Sequence, residues 1–246
     1  MGKSRFLIKE EEHHNALKQM ALLESYYEWV YERFSSYIGH YVLDAGCGVG
    51  SFSALIEKRA KHVWAADISK ENLRLAEDRF CASKTVEVVH IDFEKDNHFF
   101  DTREVDTIVC LDFLEHIEDD NRMLEKFLKV INPGGYLLLK VPACKNLFGS
   151  IDIASGHYRR YNAKELAQKC LQIGWIVKEV GYMNFAGLVP YWFKNRGLKR
   201  KTNFSRTFSS WQMDVIRRLV TIIKRVDTLV GPPSGLSALV AARKPR

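Results

Sequence analysis

Apolar positions along the chain change period once the first forty residues are passed. From Glu10 to Tyr37 they recur at helical spacing among acids (Leu17, Met20, Ala21, Tyr27, Val30, Phe34), which predicts one or two leading helices. From Tyr41 onward, short β-branched runs alternate with helical stretches. Strands are expected over Tyr41–Asp44, His62–Asp67, Glu87–Asp92, Thr107–Leu111 and Tyr136–Val141, and helices over Ser51–Arg59, Lys70–Cys81 and Asn121–Val130. Strand-helix alternation implies parallel pairing, so the expected fold is α/β: a doubly wound, mostly parallel, seven-stranded sheet. Ligands on such sheets bind beyond the carboxyl ends of the strands, at the topological switch point.

After Val141 the pattern loosens into a loop over Ile151–Tyr161, a helix over Ala163–Ile173 and a strand over Trp175–Val180. The apolar run Leu236–Ala242 follows Pro232-Pro233 and reads as a last strand returning to the sheet. One domain is expected: cap helices over 1–38, a core over 39–183, an inserted segment over 184–233, and a last strand with tail over 234–246. The length of 246 residues suits one large core better than two.

Charge changes this picture in one place. The net charge is +7, and between Lys194 and Arg225 ten Lys or Arg face the single acid Asp214, leaving the rest of the chain slightly acidic. Within that segment Val215, Ile216, Leu219, Ile222, Ile223, Val226, Leu229 and Val230 share one helical face, and Arg217, Arg218, Lys224 and Arg225 share the other. A basic amphipathic helix over 211–230 has two readings. It is a lid packed on the body, or, with Tyr191, Trp192 and Phe193, a peripheral contact with an anionic membrane that admits a lipid-linked acceptor. Nucleic acid is the less favoured partner, because the charge is confined to this helix and no recognition module is visible. Five scattered cysteines without a C-x-x-C pair, no apolar run of membrane-spanning length and no signal segment predict reduced thiols in the cytoplasm.

The chemistry begins at Asp44-Ala45-Gly46-Cys47-Gly48-Val49-Gly50, a turn between a strand and a helix. Ser51 stands where a dinucleotide fingerprint places its third glycine, which argues against nicotinamide or flavin. Glycines allow close backbone approach, and the helix start offers unpaired N–H groups to a zwitterionic amino-acid moiety. Asp67, about 20 residues on, is placed for ribose hydroxyls, as in nucleotide-binding sheets. Asp92 is placed for the adenine amino group, with Phe93 beside the ring.

Val42-Leu43-Asp44-Ala45-Gly46-Cys47-Gly48-Val49-Gly50, Ala66-Asp67, Ile91-Asp92, Leu111-Asp112-Phe113-Leu114-Glu115-His116 and Pro133-Gly134-Gly135 together resemble the motifs of class I S-adenosylmethionine-dependent methyltransferases. The resemblance covers roughly Tyr41 to Val180. It implies S-adenosylmethionine as cofactor, with Asp44, Gly46, Gly48 and Gly50 on its methionine part, Asp67 on the ribose and Asp92 on the adenine. Cys47, Ile68, Phe93, Leu111 and Phe113 would line the same cleft. Within the superfamily, Leu114-Glu115-His116 and Gly156-His157 are similar to the ubiquinone-pathway O-methyltransferases and their small-molecule relatives.

Methyl transfer from a sulfonium needs alignment above all, and needs a base only when the acceptor is a hydroxyl. The acceptor is expected beyond the fourth strand, against Asp112, Phe113, Glu115 and His116 and the loop Gly156–Tyr161. His157 is the candidate base, with His116 and Asp112 beside it. The competing reading has His157, Arg160 and Tyr161 cap the following helix. Tyr158, Arg160 and Tyr161 are the candidate acceptor contacts, a guanidinium being suited to a carboxylate or phosphate. Asp112, Glu115 and His116, spaced i, i+3, i+4, would share a face if a helix starts there. With His157 they offer oxygen and nitrogen donors to a divalent cation, or else the histidines only orient a loop and no metal is used. A regulatory protein that binds the cofactor without turnover is the remaining alternative.

Overall fold

The computed structural model describes residues 24–96, 103–188, 191, 223–227 and 232–246. Its centre is a seven-stranded sheet ordered β3-β2-β1-β4-β5-β7-β6. The strands are β1 (Tyr41–Ala45), β2 (His62–Asp67), β3 (Val86–His90), β4 (Val105–Leu111), β5 (Ile131–Pro142), β6 (Ile176–Met183) and β7 (Ser237–Arg243). The helices are α1 (Glu24–Phe34), α2 (Ser53–Ile56), α3 (Lys70–Phe80), α4 (Asp120–Val130), α5 (Ser150–Ser155) and α6 (Ala163–Ile173).

Side chains of the central strands are buried on both faces, as a sheet covered by helices on each side requires. On β1, Leu43 and Ala45 join one core with Leu124 and Phe127 of α4 and Leu166 and Cys170 of α6. Val42, just before Leu43, points the other way, into a second core with Trp29, Val30 and Phe34 of α1. This period-two alternation makes β1 the hinge between the layers. Helix α4 follows the expected logic: the Asp119 side chain accepts from Arg122 N, capping it, and Met123, Leu124 and Phe127 form its buried stripe.

Strands β1 to β5 pair in parallel, whereas β7 runs antiparallel between β5 and β6, with Leu139 opposite Val240 and Leu239 opposite Gly181. The return of the final apolar run to the sheet was legible; its insertion ahead of β6 in space was not, since the order of strands depends on which edges meet. The strand β5 starts earlier than its β-branched run. Ile131 pairs with Val105, the pairing then slips, and it resumes at Thr107 opposite Tyr136, so that Asn132 to Gly135 bulge out. The expected loop over Ile151–Tyr161 contains helix α5, held by Asp152, whose carboxylate accepts from Gly149 N at 3.0 Å. Of the leading helices, the part before Glu24 lies outside the described residues.

The sheet order reverses between β1, followed by β2 and β3 on one side, and β4, followed by β5 on the other. The turn after Ala45 and the segment after Leu111 therefore flank one crevice at the switch point, where ligands of open α/β sheets bind.

Candidate active site

The turn after β1 needs glycine for conformational reasons. Gly46, Gly48 and Gly50 take φ of +76°, +55° and +74°. A Cβ at Gly46 would lie 2.7 Å from the Phe113 ring, so the turn packs directly on the segment after β4. Asp67, the last residue of β2, fixes this turn from the side: one carboxylate oxygen accepts from Gly48 N and the other from Ser69 N, each at 2.8 Å.

Asp44 is buried and accepts from Ser53 Oγ at 2.6 Å. Burial pushes its carboxyl up to about 7, the Ser53 hydrogen bond opposes this, and the nearby charge of Asp67 adds to it. Cys47 is buried beside it, and burial followed by the Asp44 charge pushes its thiol up, so it is packing and not a nucleophile. Ser51 Oγ, at the same turn, is buried with no hydrogen-bond partner among the described residues. Ile68 is 59% exposed on the lip beyond Asp67. Asp92 lies two residues past β3 and pairs with Lys95 at 2.7 Å, whose hydrogen bond lowers its carboxyl.

These features fit S-adenosylmethionine: two acids at successive strand ends, a turn open to close approach and an orphaned hydroxyl at its edge. Phe93 departs from its expected place. It is buried, edge-on to Phe113 at 5.4 Å and to Phe127 at 6.1 Å, and so fills the core and does not cover an adenine. Leu111 and Phe113 are half-buried at the crevice.

On the other side of the crevice, the shared helical face expected for Asp112, Glu115 and His116 does not form. Asp112 has φ +50° and only a single 3-10 turn follows, from Leu114 to His116. The Asp112 carboxylate pairs with Lys140 of β5, a buried ammonium that also lies 5.2 Å from the Tyr26 ring centroid. Burial, the largest influence, would lower the Lys140 ammonium, but the Asp112 charge and hydrogen bond together with Tyr26 outweigh it and the shift is upward. Lys140 and Tyr26 were missed in the sequence. The only signal was one lysine inside the apolar run Leu137-Leu138-Leu139-Lys140-Val141.

Glu115, His116 and His157 do come together: each offers a donor atom within 4.8 Å of the others'. The two imidazoles are edge-to-face with ring centroids 4.7 Å apart. Glu115 is buried, and neither carboxylate oxygen has a hydrogen-bond partner among the described residues. Its carboxyl is pushed well up by burial and then by the Asp112 charge. The loop after α5 is laid over this turn by Tyr158 N, which donates to Glu115 O at 2.8 Å. Asp152, also missed in the sequence, holds His157: its Oδ1 lies 3.0 Å from His157 Nδ1 and accepts from Arg160 Nε at 2.8 Å.

Arg160 and Tyr161, expected against the acceptor, point inward. Arg160 bonds to Asp152, to Ala143 O at 3.0 Å and to the Tyr191 hydroxyl. Tyr161 donates to Asp120 at 2.8 Å. Burying their apolar bulk while satisfying Asp152 and Asp120 favours this arrangement over an exposed one. Neither they nor His157 caps α6, whose capping position is Asn162, with no side-chain cap. Tyr158, 52% exposed, stays beside His157 at the surface.

Of the basic helix expected over 211–230, only 223–227 lies within the described residues. There Ile223 packs on the α1 side of the core, Lys224 pairs with Glu32 of α1 at 2.5 Å, and Asp227 accepts from Asn184 N at 2.5 Å. Val226 is exposed. Among the described residues no helix is long and apolar enough to cross a membrane, and all five cysteines are free thiols.

Residues 43–139 match the family model described as a methyltransferase domain. Among curated proteins, the ubiquinone biosynthesis O-methyltransferase of Aeromonas salmonicida is 27% identical over 113 residues, 46% of this chain and 47% of that protein. The chain thus spans about half the length of the curated relatives it matches. Among solved structures, an S-adenosylmethionine-dependent methyltransferase from Archaeoglobus fulgidus aligns with a TM-score of 0.58 at 19% identity, covering 87% of this chain and 91% of that one. The [4+2]-cyclase SpnF aligns with a TM-score of 0.62 at 18% identity, covering 90% and 80%. At such identities these two establish the fold and nothing finer. Residues 43–139 thus match a methyltransferase domain, and the fold around them is the one that S-adenosylmethionine-dependent methyltransferases of known structure share.

Proposed function

We propose that this chain, built on a class I methyltransferase domain, transfers the methyl group of S-adenosylmethionine to a hydroxyl of a small or lipid-linked acceptor. The observation that carries the choice of oxygen is the meeting of Glu115, His116 and His157 beside the Phe113 wall of the cofactor turn. An amine acceptor needs no group to remove a proton, whereas a hydroxyl does.

As the methyl carbon leaves sulfur and bonds to oxygen, the cofactor departs as a neutral thioether and the acceptor's proton must go elsewhere. His157, half-buried and fixed by Asp152, is the place where that proton is handled. Cofactor binding falls to Asp44, the Gly46–Gly50 turn and Asp67, with Asp92 toward the adenine. Phe113 separates the two halves of the crevice, and Tyr158 is the remaining exposed candidate for the acceptor. The similarity over part of the chain to a ubiquinone biosynthesis O-methyltransferase supports oxygen over nitrogen.

The test is transfer of label from methyl-tritiated cofactor to three pools: small-molecule hydroxyl compounds, lipid extract and total RNA. Label is expected in the first or second. His157→Ala should lower turnover about a hundredfold while cofactor affinity stays within about twofold. Label on RNA would overturn the acceptor class. Cofactor binding with no transfer to any pool would make the chain a binding protein.

A further inference from the structure

Arg160 is a buried guanidinium with anchors on three separate parts of the chain. Its Nε donates to Asp152 Oδ1 of α5 at 2.8 Å, and one terminal nitrogen donates to Ala143 O, just beyond β5, at 3.0 Å. The other terminal nitrogen donates to the Tyr191 hydroxyl, and the guanidinium carbon lies 4.7 Å from the centroid of the Tyr191 ring. Tyr191 comes from the segment after β6, where its backbone N donates to Gly187 O at 3.1 Å. Burial pushes the Tyr191 hydroxyl up to about 12, with Arg160 opposing and Asp152 adding to it. The phenol is therefore neutral, and the ion pair of Arg160 is with Asp152.

Asp152 Oδ1 is shared, for it also lies 3.0 Å from His157 Nδ1. Burial, the largest influence, would raise the Asp152 carboxyl, but the His157 hydrogen bond and the Arg160 guanidinium outweigh it and hold it below the usual carboxylate range. An ionised carboxylate only accepts, so Nδ1 carries the proton of the neutral ring and the lone pair is on Nε2.

We infer that Tyr191 is a positioning residue for His157, acting through Arg160 and Asp152, so that the segment after β6 sets the orientation of the imidazole that takes up the acceptor's proton. A planar fork held at two points still turns about the line between them, and the Tyr191 hydroxyl supplies the third point. Gly149 N holds only the other carboxylate oxygen, Oδ2, so the aim of Oδ1 at His157 depends on Arg160. The consequence for turnover rests on the reading of His157 above. As the acceptor's O–H bond gives way to O–CH₃, its proton passes to Nε2 and the imidazolium charge is met by Asp152. A misplacement of about 1 Å in such a group costs up to about a hundredfold in rate.

The test uses the full chain. Tyr191→Phe keeps the ring over the guanidinium and removes only the hydroxyl, whereas Arg160→Lys keeps the charge and loses the fork. Nitrogen-15 NMR reads the His157 Nδ1–H with no acceptor present. Its exchange with water should quicken about tenfold in Tyr191→Phe and at least as much in Arg160→Lys. In methyl transfer to the small-molecule hydroxyl or lipid pool, Tyr191→Phe should lower turnover about five- to tenfold, with KM for the cofactor within about twofold. Added to His157→Ala, the same change should have no further effect. Exchange at His157 left within about twofold by both variants would overturn the inference. So would a loss of turnover equal in size with and without His157, or turnover unmoved by Tyr191→Phe in a chain that His157→Ala slows. Quickened exchange in a chain that methylates no pool would sustain the positioning and remove the proposed function.

Discussion

Replacing Asp44 by Asn tests whether the floor of the cofactor crevice holds a proton at neutral pH. Asp44 sits near the end of β1 with almost no exposure, accepts a hydrogen bond from the Ser53 hydroxyl, and has its carboxyl pushed up to about 7 by burial. In the unfolded chain the same group titrates near 3.9. Between those values the folded protein holds a proton that the unfolded chain has lost, so stability falls as pH rises from about 4 to about 7. The gap of about three pH units corresponds to roughly 4 kcal/mol in full, of which about 3 kcal/mol lies above pH 5. Domains are stable by only about 5–15 kcal/mol, so the effect is large enough to measure.

Asparagine keeps the shape and an oxygen for Ser53 but does not titrate. Urea unfolding at pH 5, 6, 7 and 8, read by the buried Trp29, Trp64 and Trp175, should show Asp44→Asn gaining about 3 kcal/mol on the parent across the range. The difference between the two curves cancels every other titrating group. A difference constant to within about half a kcal/mol would refute the argument and mean that Asp44 is ionised throughout. The cofactor reading adds a second expectation. A cationic methionine amino group near Asp44 favours the carboxylate, so cofactor binding near pH 7 should release a proton. Calorimetry in buffers of different ionisation enthalpy would detect it.

Two further perturbations separate cofactor binding from folding. Asp67→Ala removes the acceptor that orders Gly48 N and Ser69 N, and should weaken S-adenosylmethionine binding at least about tenfold by calorimetry with the circular dichroism spectrum unchanged; unaltered affinity would remove Asp67 from the ribose. Gly46→Ala imposes a Cβ at φ +76° and 2.7 Å from Phe113, so a loss of at least about 1–2 kcal/mol is expected in urea unfolding, and an unchanged midpoint would mean that the turn relaxes freely.

Much of the molecule is local, and the sequence by itself determined that part. Short β-branched or apolar runs named all seven strands, because a strand buried in the middle of a sheet must be apolar along its length whatever lies beside it. The Gly46–Gly50 turn and Asp67 were legible for the same reason: tight turns and strand-end acids are properties of a few consecutive residues.

Pairing in space was decided by the tertiary structure alone. Whether β7 lies between β5 and β6 depends on which edges meet. Asp112 looked like a ligand beside Glu115 and His116, but a left-handed backbone and a lysine from the next strand claimed it. Arg160 and Tyr161 looked like acceptor contacts, but Asp152 and Asp120, distant or unremarked in sequence, drew them inward. A charged side chain goes to the partner that best repays its desolvation, and that partner is known only when the chain has folded.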